Sequence, residues 1–285
     1  MKNSTFGFLV SLPGTIYVVL LVAFPLGLLF WLSFVRFDFI NPIVFVGIEN
    51  YVRVYQDRIF LLALKNTVIY ATGVTIITML AGILMAAAVS RIKRFSTFFR
   101  TLIILPWAVP LVVSGLVWRW MLDPGVGIYN YLLNMSGFFK GTINIFGDPN
   151  LAMIACIVAD SWTKIPFMFI MVLAGIQSIS PDLYEAARVD GANMVQSFKN
   201  ITLPLSQKSI LTGVLINSMF SFRTIDAIWA MTRGGPAKAT YVLGIQLIDY
   251  LIKYQNLGLG AALGVIMLVF VSMFSSIMVY YLLRR

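Results

Sequence analysis

The 285 residues are 60% hydrophobic and only 11% charged, with a mean hydropathy of +0.90. A water-soluble domain carries about 25% charged residues, so most of this surface faces something other than water and a soluble globular fold is excluded. The net charge of +10 is spread along the chain and forms no single basic tract, which argues against nucleic-acid binding. With no histidine and a single cysteine, Cys156, in an apolar run, the chain lacks the groups for histidine triads, histidine proton relays, most zinc sites or a disulfide framework.

The first apolar run, residues 6–34, is too long for a signal peptide core and has no small-x-small cleavage site. It predicts a membrane helix over about Leu12–Phe34, with Pro13 near its start and a kink at Pro25. A mixed-charge segment from Arg36 to Lys65 follows, with four basic and three acidic residues. A second helix covers about Asn66–Val89, and then come Arg91, Lys93, Arg94 and Arg100 with no acid among them. The third helix, about Thr101–Leu122, has Pro106 and Pro110 breaking its first turns, and leads into a loop holding Asp123, Pro124, Gly125, Gly127, Lys140 and Asp148. A fourth helix spans about Leu151–Ile179, and a polar segment runs from Ser180 to Lys208. The fifth helix covers about Ser209–Met231; after a loop opening on Gly234-Gly235-Pro236, the sixth covers about Leu259–Leu283. The expected fold is therefore all-α and polytopic: six transmembrane helices, with residues 1–65 forming an N-terminal span and extramembrane segment ahead of a five-helix core over 66–285.

The basic residues set a topology. With both termini, the 2–3 loop and the 4–5 loop on one side, that side holds Lys2, Arg91, Lys93, Arg94, Arg100, Arg188, Lys199, Lys208, Arg284 and Arg285 against three acids. The other side has nine basic residues offset by Asp38, Glu49, Asp57, Asp123, Asp148 and Asp249. The Lys/Arg bias makes the first side cytoplasmic, in a cell (inner) membrane.

The segment between helices 4 and 5 is not written as linker. Pro181 and Asp182 sit at a helix start, and Tyr184, Ala186, Ala187, Val189, Ala192, Met194, Val195 and Phe198 recur at three- and four-residue spacing. Gly191 interrupts the pattern and Pro204 closes it. Two short amphipathic helices joined at a glycine, outside the bilayer, need a partner protein with a groove or else rest on lipid.

Glu185-Ala186-Ala187, Asp190-Gly191-Ala192, Phe198, Ile201, Leu203 and Pro204 resemble the EAA loop of type I ABC importer membrane subunits, with the spacing from Glu185 to Gly191 and Pro204 matched without a gap. Lys208 and Ser209 depart from that pattern, where relatives usually carry a second proline. Asn41-Pro42, Asn50-Tyr51, Asn66-Thr67, Pro106, Pro110, Gly147-Asp148-Pro149, Gly234-Gly235-Pro236 and Gly260-Ala261-Ala262 are similar to the carbohydrate branch of that family, so the resemblance covers nearly the whole chain. It implies that residues 180–208 form a coupling helix seated on a nucleotide-binding subunit, with Glu185, Ala186, Ala187, Asp190, Gly191, Ala192, Phe198 and Pro204 at the contact. The implied partners are a second permease subunit, two ATP-binding subunits and an extracytoplasmic solute-binding protein. ATP and magnesium would bind those ATPases; no cofactor is expected in this chain, which has no Gly-x-x-x-x-Gly-Lys-Ser/Thr loop.

Polar groups in a bilayer are costly and mark sites. Asp160 and Lys164 stand one turn apart and could neutralise each other, as could Arg223 and Asp226; Asn217, Ser221 and Thr224 share one helical face. Carried over from maltose-type permeases, the solute positions fall on Asp160, Thr163, Lys164, Phe167, Asn217, Ser221 and Thr224, although most identities differ from that protein. Hydroxyls and nearby rings suit a sugar, oligosaccharide or polyol; Lys164 and Arg223 leave room for a phosphorylated solute such as glycerol phosphate. The residues leave two other readings, an ion-coupled secondary transporter using Asp160 and an ABC importer of a non-sugar solute.

Overall fold

A computed structural model describes residues 2–92, 94–137 and 141–283, apart from the side chains of residues 2–9 and 281–283. Lys93, Lys140, Arg284 and Arg285, four of the basic residues used to orient the chain, lie outside the described residues, as does the side chain of Lys2. The chain forms two compact units, Met1–Leu61 with Gln246–Phe270 and Leu62–Ile245 with Val271–Arg285. Its helices are α1 (Lys2–Val18), α2 (Phe24–Ser33), α3 (Glu49–Gln56), α4 (Arg58–Ser90), α5 (Ser96–Ile104), α6 (Leu111–Met121), α7 (Ile128–Met135), α8 (Pro149–Gln177), α9 (Pro181–Val189), α10 (Met194–Ser197), α11 (Leu203–Leu205), α12 (Gln207–Phe222), α13 (Asp226–Met231), α14 (Leu243–Ile248) and α15 (Leu257–Leu283). The described strands are β1 (Val35–Arg36) and β2 (Val44–Phe45), paired antiparallel with Val35 opposite Phe45.

The all-α expectation holds, and the spans differ from the expected six in specific ways. Val10–Ser33, Arg58–Ser90, Pro149–Gln177 and Leu257–Tyr280 are long and apolar enough to cross a membrane. The second span begins at Arg58, not Asn66, because the Asp57 carboxylate accepts the Ile59 N–H at 2.9 Å and caps the helix start. The third is a bent pair, Ser96–Ala108 and Leu111–Met121, meeting at 95°. Pro110 holds the preceding Val109 in extended backbone (ψ 125°), so the helix stops and restarts. The fifth, expected over 209–231, is not one helix. α12 has 16 residues, short of the about 20 that cross a bilayer core, and the chain leaves the helix at Arg223–Ile225 before α13 resumes. The Ser221 and Thr224 hydroxyls donate to the Asn217 and Phe220 carbonyls at 2.9 and 2.8 Å, side-chain bonds that compete with the ladder at its end.

Of the prolines within helical backbone, Pro25 and Pro204 each follow a widened turn. Val19–Ala23 and Phe198–Thr202 are π turns, closed by Phe24 N–H to Val19 O and Leu203 N–H to Phe198 O. Pro25 and Pro204 follow, so the shifted pairing moves the carbonyl each ring would otherwise strike. Pro204 therefore does not end the helical segment; α11 carries it on to Ser206.

In the first unit, buried Asn50 ties α3 to the β1 edge, donating to Ser33 O and Val35 O at 3.0 and 2.8 Å. The Asp57 carboxylate accepts from Tyr250 Oη at 2.7 Å and Gln246 Nε2 at 3.1 Å. Burial, and then that bond to Asp57, holds the Tyr250 hydroxyl above the usual tyrosine range.

The second unit is built on α8. Two thirds of its apolar window is buried inside the protein (67%), against 28% or less for the other continuous spans, which marks it as the central helix. Met168, Phe169, Val172, Leu173 and Ile176 of α8 pack with Ala86 and Val89 of α4 and Ile210 of α12. Gly115 on α6 lies against α13, where an added Cβ would stand 2.8 Å from the Ala230 Cβ and 3.1 Å from the Ala227 carbonyl. Asn66 of α4 donates to the carbonyls of Lys238 and Tyr241, and the Leu243 N–H donates to Thr67 Oγ1, which pins the loop before α14 to α4.

Gly115→Val should destabilise the chain by about 2 kcal/mol through overpacking of α6 on α13. A lowered melting temperature of the detergent-solubilised protein, with Gly14→Val, whose added Cβ meets nothing within 4 Å, as the control, checks this.

Candidate functional site

Two groups of expected site residues occupy the second unit. The first is the hairpin between α8 and α12. The Ser180 hydroxyl caps α9, accepting the Asp182 N–H at 3.4 Å; an acid sits in the first turn and Arg188 in the last, both matched to the helix dipole. Gly191 then takes φ +78°, a left-handed conformation that a side chain resists, and its missing Cβ would meet nothing within 4 Å. Asn193 starts α10 with a capping box to Gln196. Tyr184 Oη and Thr202 Oγ1 lie 3.0 Å apart and close the two arms.

The eight residues expected at the contact divide by face. Ala187, Ala192 and Phe198 are half-buried, while Glu185, Ala186, Asp190, Gly191 and Pro204 are exposed. Val189 is 87% exposed, Val195 72% and Met194 66%, so apolar side chains of both arms stand uncovered, and Met194 and Val195 border an open groove with Leu84, Ala87 and Ala88 of α4.

The second group surrounds Lys164. Its ammonium donates to Asp160 Oδ2 at 2.6 Å, to Thr224 Oγ1 at 2.7 Å and to Ser221 Oγ at 3.3 Å, all four residues being buried. Lys164 thus joins α8 to the point where α12 ends. Of the other expected pathway residues, Thr163 turns back on its own helix, donating to Asp160 O at 2.8 Å. Buried Asn217 donates instead to Thr78 Oγ1 on α4. Asp160 Oδ1 and Asn217 Oδ1 are buried with no hydrogen-bond partner among the described residues.

Phe167 is the half-buried member of the set. Its ring lies 6.1 Å from Trp107 and 6.2 Å, edge to face, from Phe220, and the Arg223 guanidinium sits 5.1 Å over the Phe220 ring. Arg223 and Asp226, which the sequence left open as a pair, are joined by no ion pair among the described residues, and both are exposed. The helix stops between them, so their three-residue spacing is not one helical turn. Attention to helices 4 and 5 alone missed Thr78, Trp107 and Tyr70, whose buried hydroxyl lies near Asp160. Hydroxyl-bearing residues inside the apolar run of α4 were the available signal.

Lys164→Met would strand Asp160 as a buried, unpaired carboxylate and should cost about 3 kcal/mol, whereas Asp160→Asn combined with Lys164→Met should recover most of it. Thermal unfolding of the two variants and the parent in detergent separates these outcomes.

With this geometry in place, comparison with known proteins is informative. Residues 78–285 match the family described as binding-protein-dependent transport system inner membrane component. The trehalose/maltose transport system permease protein MalF of Thermococcus litoralis is 32% identical over 275 residues, covering 96% of this chain and 92% of that protein. The sulfoquinovosyl glycerol transport system permease protein SmoG of Agrobacterium fabrum is 34% identical over 261 residues, covering 90% of this chain and 83% of that protein. In a crystal structure of a bacterial alginate ABC transporter in complex with an alginate pentasaccharide-bound periplasmic protein, one chain superposes with a TM-score of 0.81 at 21% identity, over 99% of this chain and 93% of that one. At that identity the likeness establishes the fold.

Proposed function

The chain belongs to the binding-protein-dependent transport system inner membrane components, and from that premise we propose that it is the permease subunit of an ATP-driven importer of a sugar, oligosaccharide or related polyol. It hydrolyses nothing itself; a pair of separate ATPase subunits binds ATP and magnesium, a second permease completes the pathway, and an extracytoplasmic binding protein delivers the solute. Residues 66–285 form the transport core behind an N-terminal span over 1–65, with both termini and the 180–208 hairpin in the cytoplasm. The names of its relatives, which transport trehalose and maltose or sulfoquinovosyl glycerol, support a carbohydrate solute.

The observation that carries this reading is the hairpin: a preformed, doubly capped pair of helices held closed by Tyr184 and Thr202, with exposed apolar side chains on both arms. An apolar helix face outside the bilayer is seated in a groove of a partner. Glu185, Ala186, Asp190 and Gly191 line the exposed side and meet the ATPase, while Ala187, Ala192 and Phe198 hold the hairpin's shape. Because the hairpin joins α8 to α12 directly, any displacement of it by the ATPases acts on the two helices that carry Asp160, Thr163, Lys164, Phe167, Asn217, Ser221 and Thr224. The alternating exposure of that polar set to the two sides of the membrane is the transport step.

Gly191→Val should lower ATP-dependent uptake about tenfold by straining the hairpin turn and should release the ATPase during co-purification. An added Cβ there meets nothing, so the strain is confined to the turn, and uptake is compared at matched membrane level. Uptake that persists in membranes stripped of any ATPase would contradict the proposal and point to ion-coupled transport.

A further inference from the structure

Among the described residues at this site, Arg223 is a cation with no ion-paired anion. Lys164 is already neutralised by Asp160, whereas Arg223 is exposed, forms no hydrogen bond or ion pair among the described residues, and is held only over the Phe220 ring. It stands at the C-terminal end of α12, just past Phe222. An exposed guanidinium without an ion-paired partner is costly against lipid and stable against water or an anion.

The rings beside it have a particular arrangement. Trp107, Phe167 and Phe220 form a continuous row ending under Arg223, and Trp107 and Phe220 remain 56% and 41% exposed. Aromatic faces stack on the apolar faces of pyranose rings, and a planar guanidinium binds carboxylate, phosphate or sulfonate with paired N–H donors. We propose that this row and Arg223 form a subsite for an acidic carbohydrate, the sugar ring lying along the aromatic side chains and its anionic substituent on the Arg223 guanidinium. The inference rests on the importer reading and narrows its solute to sugars bearing a carboxylate, phosphate or sulfonate group.

The test is uptake by the complete transporter in cells, using labelled uronate-containing disaccharide, sugar phosphate, sugar sulfonate and neutral disaccharide, with Arg223→Gln and Arg223→Lys matched to the parent by membrane level. The expected result is ATP-dependent import of at least one acidic solute, an about tenfold loss in R223Q seen mainly as a raised KM, and substantial retention in R223K, which keeps the charge. Import of neutral sugars alone, or equal loss of activity in R223K and R223Q, overturns the subsite while leaving the importer reading intact; the second result marks Arg223 as a structural or lipid-anchoring residue. No ATP-dependent uptake of any carbohydrate by the parent overturns both.

Discussion

A lysine in the middle of a membrane-spanning helix must be neutralised or must reach water, and Lys164 is neutralised. The ammonium takes its counter-ion from Asp160 one turn earlier on α8 and fills its remaining donors with the hydroxyls of Ser221 and Thr224. The pair alone would be an intrahelical feature. The two hydroxyls make it a crosslink, since they sit on the last turn of α12 and just past its end. Removing a charge from water is repaid only when geometry is good and the leftover donors are satisfied, so the position of Lys164 also fixes where α12 must stop.

That stop illustrates how this chain breaks helices in a setting that penalises open backbone. In hydrocarbon, unpaired amides are tolerated only where protein surrounds them. At the end of α12 the Ser221 and Thr224 hydroxyls take up the Asn217 and Phe220 carbonyls, and Thr224 is buried. Before Pro25 and Pro204 the ladder is not broken at all but widened by one residue into a π turn. Where the third span bends by 95°, Pro110 forces the break, and the packing of Gly115 on Ala227 and Ala230 brings α13, the piece after the α12 break, against the second half of that span.

The sequence makes some of this visible and hides the rest for identifiable reasons. Apolar length located the spans, and the three- and four-residue spacing around Gly191 anticipated a hairpin whose turn takes a positive φ. Asn217, Ser221 and Thr224 were readable as one face, and Asp160 with Lys164 as a possible pair. The break at 223–225 was not readable as a helix end, because residues 214–233 contain neither proline nor glycine, and Arg223, Thr224 and Asp226 read equally well as polar groups on one continuous helix. The same hidden break made Arg223 and Asp226 look like partners when they belong to different helices. Arg58 and Lys65 concealed the early start of α4 by lending the first two turns of a helix the composition of a loop. Thr78 and Tyr70 escaped notice for the opposite reason: single hydroxyls in a long apolar run signal little until the helix facing them is known.

The hairpin and the Lys164 crosslink together define a closed mechanical loop. α8 leaves the crosslink at residue 164 and reaches the hairpin at Gln177; α12 leaves the hairpin at Gln207 and returns to the crosslink at Ser221 and Thr224. Between these two ends the helices are cemented by Met168, Val172, Ile176 and Ile210, and by the close approach of Gly175 to Ser209 and of Gly213 to Met168. Close-packed interiors have low compressibility, so a displacement at the hairpin is not dissipated as independent sliding of the two helices. It must either carry α8 and α12 as one body or break the bonds of Lys164, and the second choice exposes a charge pair to whatever occupies the pathway. Burial favours rigid motion: losing Lys164 would leave the Asp160 carboxylate, 1% exposed, as an unpaired anion in the protein interior.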